Sequence, residues 1–134
     1  MDGDPIVVVL TERVSDPHLA GLRADGVSYI FAGNETIDLA SAVDRIAREL
    51  DVKTLLVEGG GTANGAFLRA GLIDEISVAI CPAIDGAAGA PSLFHSGEAD
   101  ADGPAPLTGL TLTRHDILPG GEIWLCYRVE NADK

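Results

Sequence analysis

The chain has 134 residues, of which 46% are hydrophobic and 22% are charged, a balance typical of a globular domain and not of a disordered segment. Its formal net charge of −12 argues against nucleic acid or an anionic membrane as a partner, because phosphate groups are bound by Lys and Arg. No apolar run reaches the roughly 18 residues of a membrane span, and the acidic N-terminus lacks a signal-peptide pattern, so we expect a cytoplasmic protein.

Apolar and β-branched runs predict six strands. They cover residues 6–10, 27–31, 54–57, 75–81, 107–117 and 122–129. The first and third runs are continuous rather than alternating, which indicates strands buried on both faces. The turn at residues 119–121 joins the last two strands as an antiparallel hairpin. The loop at residues 82–106 is rich in Gly, Ala, Pro and Asp, and we expect Leu93 and Phe94 to anchor it.

Helical patterns separate the first four strands. The first helix is predicted to begin with Asp16 as its N-cap and Pro17 at its first position, and Gly26 ends it. The third helix is predicted over residues 62–70 and ends at Gly71.

The second helix is predicted to be the longest, with Asp38 at its N-cap and apolar residues on one face. Two ion pairs are expected on its exposed side: Asp44 with Arg48, and Arg45 with Glu49. Strands that alternate with helices indicate an α/β fold, with a mostly parallel central sheet and helices on both faces. The C-terminal hairpin adds an antiparallel edge, and we treat residues 1–134 as one domain.

Cysteine and histidine spacing gives no sign of a metal site. Cys81 and Cys126 lack Cys-x-x-Cys spacing and are predicted to be buried free thiols inside strands. The three histidines, His18, His95 and His115, are far apart in sequence and form no His-x-x-x-His pair. No Ser-His-Asp or Cys-His arrangement can be identified either, so the sequence leaves the catalytic residue unknown.

The glycine-rich stretch from Leu55 to Thr62 is the most distinctive motif. A buried strand is predicted to run through Gly59-Gly60-Gly61 into a helix, and the glycines let a ligand approach the backbone closely. The helix start adds unpaired N–H groups and the positive end of the helix dipole, which favour a phosphate-bearing ligand. Thr62 and Asn64 can cap the helix or contact that ligand. The alternative is a tight structural turn that binds nothing.

Two further candidates follow predicted strands, at the edge where open α/β sheets bind their ligands. Glu58 follows the third strand, and its carboxylate either accepts a hydrogen bond from a substrate or bonds nearby backbone N–H groups. Arg13 and Ser15 follow the first strand and can meet a phosphate. The alternative for the loop at residues 11–15 is a solvated surface.

A long ordered motif gives the chain a family resemblance. Residues 56–65 read Leu-Val-Glu-Gly-Gly-Gly-Thr-x-Asn-Gly, and the match continues through residues 68–75 and 81–86. A last strand with Trp124 and residues 127–129 completes it. This pattern resembles the C-terminal reductase domain of bacterial riboflavin biosynthesis proteins, which has the dihydrofolate-reductase-like fold of three αβα layers.

The resemblance implies an NADPH-dependent reductase that acts on the ribose of a small-molecule ribosylamino-pyrimidine phosphate. It places the cofactor phosphates against six residues: Gly59, Gly60, Gly61, Thr62, Ala63 and Asn64. Glu58 would contact the pyrimidine, and the loop with Thr11 and Arg13 would lie at the 2′-phosphate of NADP. That loop departs from the Asp-Ser-Arg pattern of the family, so the choice between NADPH and NADH stays open.

Members of the family have a longer domain, with a central strand and a substrate-binding segment N-terminal to the part that matches here. We therefore expect a truncated domain that forms a homodimer, is completed by another chain or rearranges its sheet, because unpaired sheet edges tend to associate. Two alternatives stay open. One is a non-catalytic nucleotide-binding or assembly module, and the other is a different dihydrofolate-reductase-like enzyme that acts on a pterin or another pyrimidine.

Overall fold

The computed structural model describes residues 3–84, 86, 89, 91–95 and 107–131. The chain divides into two compact units, Met1–Leu56 and Val57–Lys134, here called the N-terminal and C-terminal units, and each is described by itself. In the described ranges, every helix is too short or too polar to span a membrane.

The N-terminal unit is built around a parallel pair of strands. Its elements are β1 (Val7–Leu10), α1 (Asp16–Ala24), β2 (Ser28–Phe31) and α2 (Leu39–Glu49). The register places Val7 opposite Ser28, so the carboxyl ends of β1 and β2 lie side by side. The buried side chains are small or β-branched: Ile30, Ala32 and Ala42. These apolar residues come from β2, the residue after it and α2, which agrees with the predicted α/β class.

Backbone conformation determines where α1 begins and ends. Ser15 keeps an extended backbone and forms the N-cap, so the predicted N-cap at Asp16 is wrong by one residue. Pro17 still lies in the first turn, where a missing N–H costs no helical bond. The predicted end is confirmed, because Gly26 has a φ of 70° and donates its N–H to the Arg23 carbonyl at 3.2 Å.

Asp38 caps α2 as predicted: its carboxylate accepts a hydrogen bond from the Ser41 N–H at 3.0 Å. Replacing Asp38 by alanine is expected to lower the free energy of unfolding by about 1 kcal/mol, because the Ser41 N–H loses this acceptor. Asp38→Asn keeps an oxygen acceptor and serves as the control. Urea denaturation followed by far-UV circular dichroism measures both variants, and an alanine variant as stable as the wild type would contradict the capping role.

Both predicted ion pairs on α2 are present. They are Asp44 with Arg48 at 2.9 Å, and Glu49 with Arg45 at 2.6 Å. The hydrogen bond from Arg45 lowers the pKa of the Glu49 carboxyl, and the same bond raises the pKa of the Arg45 guanidinium. Arg45 also donates through Nη1 to the Phe31 carbonyl at 2.6 Å, which ties α2 to the end of β2.

The prediction of a buried strand at residues 54–57 is wrong. These residues form no strand, and Leu55 and Leu56 are 44% and 75% exposed. An apolar run becomes a strand only where a neighbour satisfies its backbone hydrogen bonds. Among the described residues, no strand pairs with this run, so its backbone lacks the ladder hydrogen bonds of a strand.

In its described residues, the C-terminal unit combines one helix with an antiparallel sheet. Its elements are α3 (Gly61–Arg69), β3 (Glu75–Ile80), β4 (Leu107–Ile117) and β5 (Ile123–Asn131). The strand order is β3-β5-β4, so β5 is central and antiparallel to both neighbours. The predicted hairpin is confirmed, and its turn closes where Gly121 donates its N–H to the Leu118 carbonyl at 2.9 Å. Gly71, with a φ of 67°, ends α3 as predicted.

The α/β class and the C-terminal hairpin are confirmed, and the sheet arrangement differs in detail from the prediction. We expected one mostly parallel sheet, whereas the described strands form a parallel pair and a three-stranded antiparallel sheet. The difference arises at β3: its neighbour is β5, a hairpin strand that runs antiparallel to it, with Ile76 opposite Tyr127.

Side chains tie the three strands of this sheet together. Trp124 donates through Nε1 to the Ser77 hydroxyl at 2.7 Å, which links β5 to β3. The Arg114 guanidinium lies 4.6 Å from the centre of the Trp124 ring, a cation–π contact that links β4 to β5. Arg114 also donates to the Asp116 carboxylate at 2.6 Å.

The two cysteines have different environments. Cys126 in β5 is a free thiol and only 7% exposed, which confirms its prediction. Cys81 is also free but is exposed, and it lies one residue beyond the end of β3 at Ile80. Its prediction as a buried strand residue is therefore wrong.

Candidate functional site

The glycine turn leads into α3, as predicted, and presents an open helix start. Gly60 is the N-cap, with an extended backbone (φ −61°, ψ 173°), and no described side chain caps the helix. The Asn64 N–H makes the first helical bond, to the Gly60 carbonyl at 3.1 Å. The N–H groups of Gly61, Thr62 and Ala63 precede that bond and have no partner within the helix. Such groups, with the helix dipole, attract a phosphate.

The three glycines of the turn differ in the space that surrounds them. A Cβ on Gly60 would have no atom within 4 Å, so this face is open. A Cβ on Gly59 would lie 2.7 Å from the Ala63 Cβ, and one on Gly61 would lie 2.3 Å from the Ser92 carbonyl oxygen. Gly59 and Gly61 are therefore required by packing, and Gly60 is the position that leaves room for a ligand.

A short segment packs its backbone against α3. Residues 92–95, here called the strap, meet the helix through two hydrogen bonds: the His95 N–H donates to the Gly61 carbonyl at 2.8 Å, and Asn64 Nδ2 donates to the Leu93 carbonyl at 3.0 Å. The amide nitrogen of Asn64, predicted to bind the cofactor, is thus engaged by the strap. Its Oδ1 is buried and has no hydrogen-bond partner in the part of the chain that the structure describes.

Gly65 shows how close the strap comes to the helix. A Cβ at this position would lie 1.9 Å from the His95 carbonyl oxygen, so only glycine fits. Leu93, expected with Phe94 to anchor the loop, does so through its backbone carbonyl, whereas its side chain is 62% exposed; Phe94 is half-buried. The sequence reasoning missed this contact, although a glycine inside a helix often has a packing reason.

An open depression of about 450 Å³ lies beside this helix start. It is lined by Gly61, Thr62, Gly89, Pro91, Ser92 and His95. Thr62 and His95 are among the lining residues, and a hydroxyl and an imidazole can each hydrogen-bond a phosphate oxygen. The depression lies wholly within the C-terminal unit.

Glu58 is exposed and lies two residues before the N-cap Gly60. Its predicted position at the end of a buried strand is wrong, because residues 54–57 form no strand. A role toward the substrate stays a prediction.

The predicted residues Thr11 and Arg13 lie at the carboxyl ends of β1 and β2 in the N-terminal unit. The Glu12 N–H donates to the Gly33 carbonyl at 3.0 Å, which joins the loops that follow the two strands. Arg13 Nη1 donates to the carboxylate of Glu35, and both side chains are more than two thirds exposed. We call residues 11–13 and 33–35 the carboxyl edge. Sequence reasoning did not include Glu35.

The predicted site residues thus belong to two units, Thr11 and Arg13 to one and residues 58–64 to the other. Their assembly around one cofactor stays a prediction. The described residues contain no group of three or more His, Cys, Asp or Glu side chains able to hold a metal ion.

One known protein family matches most of the length of the chain. The family model described as the RibD C-terminal domain matches residues 1–122. Two curated relatives are each named 2,5-diamino-6-ribosylamino-4(3H)-pyrimidinone 5′-phosphate reductase. The protein from Aquifex aeolicus is 32% identical over 89 residues, which cover 66% of this chain and 39% of the relative. The protein from Methanothermobacter thermautotrophicus is 33% identical over 92 residues, which cover 69% and 42%. The chain spans about two fifths of the length of these relatives.

Solved structures support the same fold. A pyrimidine reductase-like protein from Corynebacterium diphtheriae matches with a TM-score of 0.70 and 28% identity, over 92% of this chain and 48% of that one. Acinetobacter baumannii RibD matches with a TM-score of 0.65 and 22% identity, over 92% and 37%. The α/β fold with one parallel and one antiparallel sheet is dihydrofolate-reductase-like, as the sequence motif implied. The chain therefore belongs to the RibD C-terminal domain family.

Proposed function

We propose that the chain is part of a riboflavin-pathway reductase that uses NADPH to reduce the ribose of a ribosylamino-pyrimidine phosphate. The observation that carries this proposal is the open start of α3 at Gly60, in a chain whose curated relatives are named as reductases of such a substrate. We also propose that the protein is located in the cytoplasm.

The residues at the helix start fit a cofactor phosphate. The unpaired N–H groups of Gly61, Thr62 and Ala63 can donate to phosphate oxygens, and Gly60 keeps its side of the turn free of atoms that would block the approach. The Thr62 hydroxyl and the His95 imidazole offer further hydrogen bonds in the adjoining depression. NADPH, when bound, supplies the hydride, and the chain's own residues bind and orient it.

The remaining roles follow from the family resemblance. In this proposal Glu58 orients the pyrimidine, and Thr11 and Arg13 face the 2′-phosphate. Glu58 is exposed, and the Arg13 guanidinium, although paired with Glu35, is largely exposed, so a ligand can reach both groups. No general acid is assigned.

A second candidate is a nucleotide-binding or assembly module without catalytic activity. The exposed Leu55 and Leu56 favour it, because an apolar run without a sheet partner is suited to pairing with a second copy or another chain. In both candidate functions, we propose that the chain forms a homodimer or is completed by another polypeptide.

Titration with NADPH, followed by nicotinamide fluorescence, tests cofactor binding, and we expect saturation below millimolar concentration. No binding at millimolar NADPH would refute the reductase proposal for this chain. Binding without turnover of the ribosylamino-pyrimidine phosphate would support the non-catalytic module. Turnover of dihydrofolate in preference to that substrate would instead indicate a pterin-reducing relative.

A further inference from the structure

One ion pair crosses the carboxyl edge of the N-terminal unit. Arg13 follows β1, Glu35 follows β2, and the Arg13 guanidinium donates to the Glu35 carboxylate. Their side chains are 69% and 68% exposed, so water and solutes reach both charges. An exposed pair of this kind is weak, and another anion can compete for the arginine.

Backbone contacts fix the two loops that carry the pair. The Glu12 N–H donates to the Gly33 carbonyl at 3.0 Å, and the Val14 N–H donates to the Thr11 carbonyl at 3.2 Å. Gly33 has a φ of 93°, and a Cβ there would lie 2.1 Å from the Thr36 carbonyl oxygen. These constraints hold the backbone positions of Arg13 and Glu35 near each other.

A second arginine, on α2, already donates its hydrogen bonds to other groups. Arg45 donates to the Phe31 carbonyl at 2.6 Å and to the Glu49 carboxylate at 2.6 Å. Arg13 is therefore the exposed guanidinium that a phosphate arriving at this edge would meet, and Glu35 is the carboxylate already bound to it.

We propose that Glu35 is a specificity-determining residue that weakens the discrimination of this chain between NADPH and NADH. The proposal rests on the proposed function, in which Arg13 faces the 2′-phosphate of the cofactor. A 2′-phosphate must displace Glu35 from Arg13 and then lie close to its carboxylate, and like charges repel. A free ribose 2′-hydroxyl carries no charge and can donate a hydrogen bond to that carboxylate. Glu35 thus weakens the binding of a ribose that carries a 2′-phosphate and does not weaken the binding of a ribose with a free 2′-hydroxyl.

Binding of adenosine 2′,5′-bisphosphate and of AMP, measured by isothermal titration calorimetry, tests this inference directly. Glu35→Gln is expected to strengthen binding of the bisphosphate by about threefold to tenfold and to change AMP binding by less than about twofold. Asp44→Asn is the matched control, because it removes the same charge from an exposed ion pair on α2 and should leave the ratio of the two affinities unchanged.

A second comparison separates this role from a general effect of charge. Arg13→Gln should abolish the preference for the bisphosphate, and in that background Glu35→Gln should give no further gain. An unchanged ratio in Glu35→Gln, or an equal gain in Asp44→Asn, would overturn the inference. If the inference about Glu35 is overturned but NADPH binding still depends on Gly60, the proposed function remains supported. Failure of every variant to bind either nucleotide or NADPH would overturn both proposals.

Discussion

Gly65→Ala is expected to lower the free energy of unfolding of the C-terminal unit by about 2–3 kcal/mol. The added methyl group would lie 1.9 Å from the His95 carbonyl oxygen and 2.8 Å from its carbon, so the strap must move away from α3. That movement breaks the bonds from His95 to Gly61 and from Asn64 to Leu93. The steric cost exceeds the gain of up to about 1 kcal/mol that alanine normally brings to a helix interior.

Urea denaturation followed by the fluorescence of Trp124 measures this effect, because the only tryptophan of the chain lies in β5 of the same unit. Gly21→Ala is the matched control: it makes the same change inside α1, where a Cβ meets no atom within 4 Å. Circular dichroism should show that the control is slightly more stable than the wild type. A Gly65→Ala protein of wild-type stability would show that the strap does not pack on α3.

Gly60→Val is expected to weaken NADPH binding by more than about tenfold, because each lost charge-assisted hydrogen bond to a phosphate is worth about 1.5–3 kcal/mol. The side chain would occupy the open face of the turn and keep a phosphate away from the N–H groups of Gly61 and Thr62. The fold should tolerate the change, since a Cβ at this position has no atom within 4 Å and the φ of −61° suits any residue.

Fluorescence titration of the variant with NADPH gives the affinity, and urea denaturation provides the control for folding. Stability should fall by no more than about 1 kcal/mol, the scale of a changed N-cap residue. Unchanged NADPH affinity in a folded variant would mean that the turn is structural and that the cofactor phosphates bind elsewhere.

Helix ends could be predicted from the sequence because their causes are local. Asp38 and Ser41 are three residues apart, and their cap depends on no other element. Gly26 and Gly71 adopt positive φ values that other residues rarely tolerate, so each ends its helix where the sequence indicated. The error at Asp16 is one residue: Ser15 keeps the extended backbone of the N-cap, without a side-chain capping bond, and Asp16 is already helical.

Features that depend on distant residues could not be predicted with the same success. The run at residues 54–57 has the composition of a strand, but pairing needs a partner that the run itself does not specify. The strap meets α3 through Asn64 and Leu93, 29 residues apart, and Arg13 meets Glu35 across 22 residues. The first contact leaves a trace in the sequence, Gly65, whereas the ion pair leaves none.

The central place of β5 determines when the C-terminal unit can fold during synthesis. β3 and β4 each pair with β5 and not with each other, and contacts such as Trp124 with Ser77 join residues 47 apart in sequence. A ribosome that has not yet released residues 123–131 therefore carries two strands with no partner and unpaired backbone edges. Long-range pairing of this kind is slow, and its unpaired intermediates are prone to aggregate. The sheet of this unit can therefore form only once residues 123–131 have been synthesised.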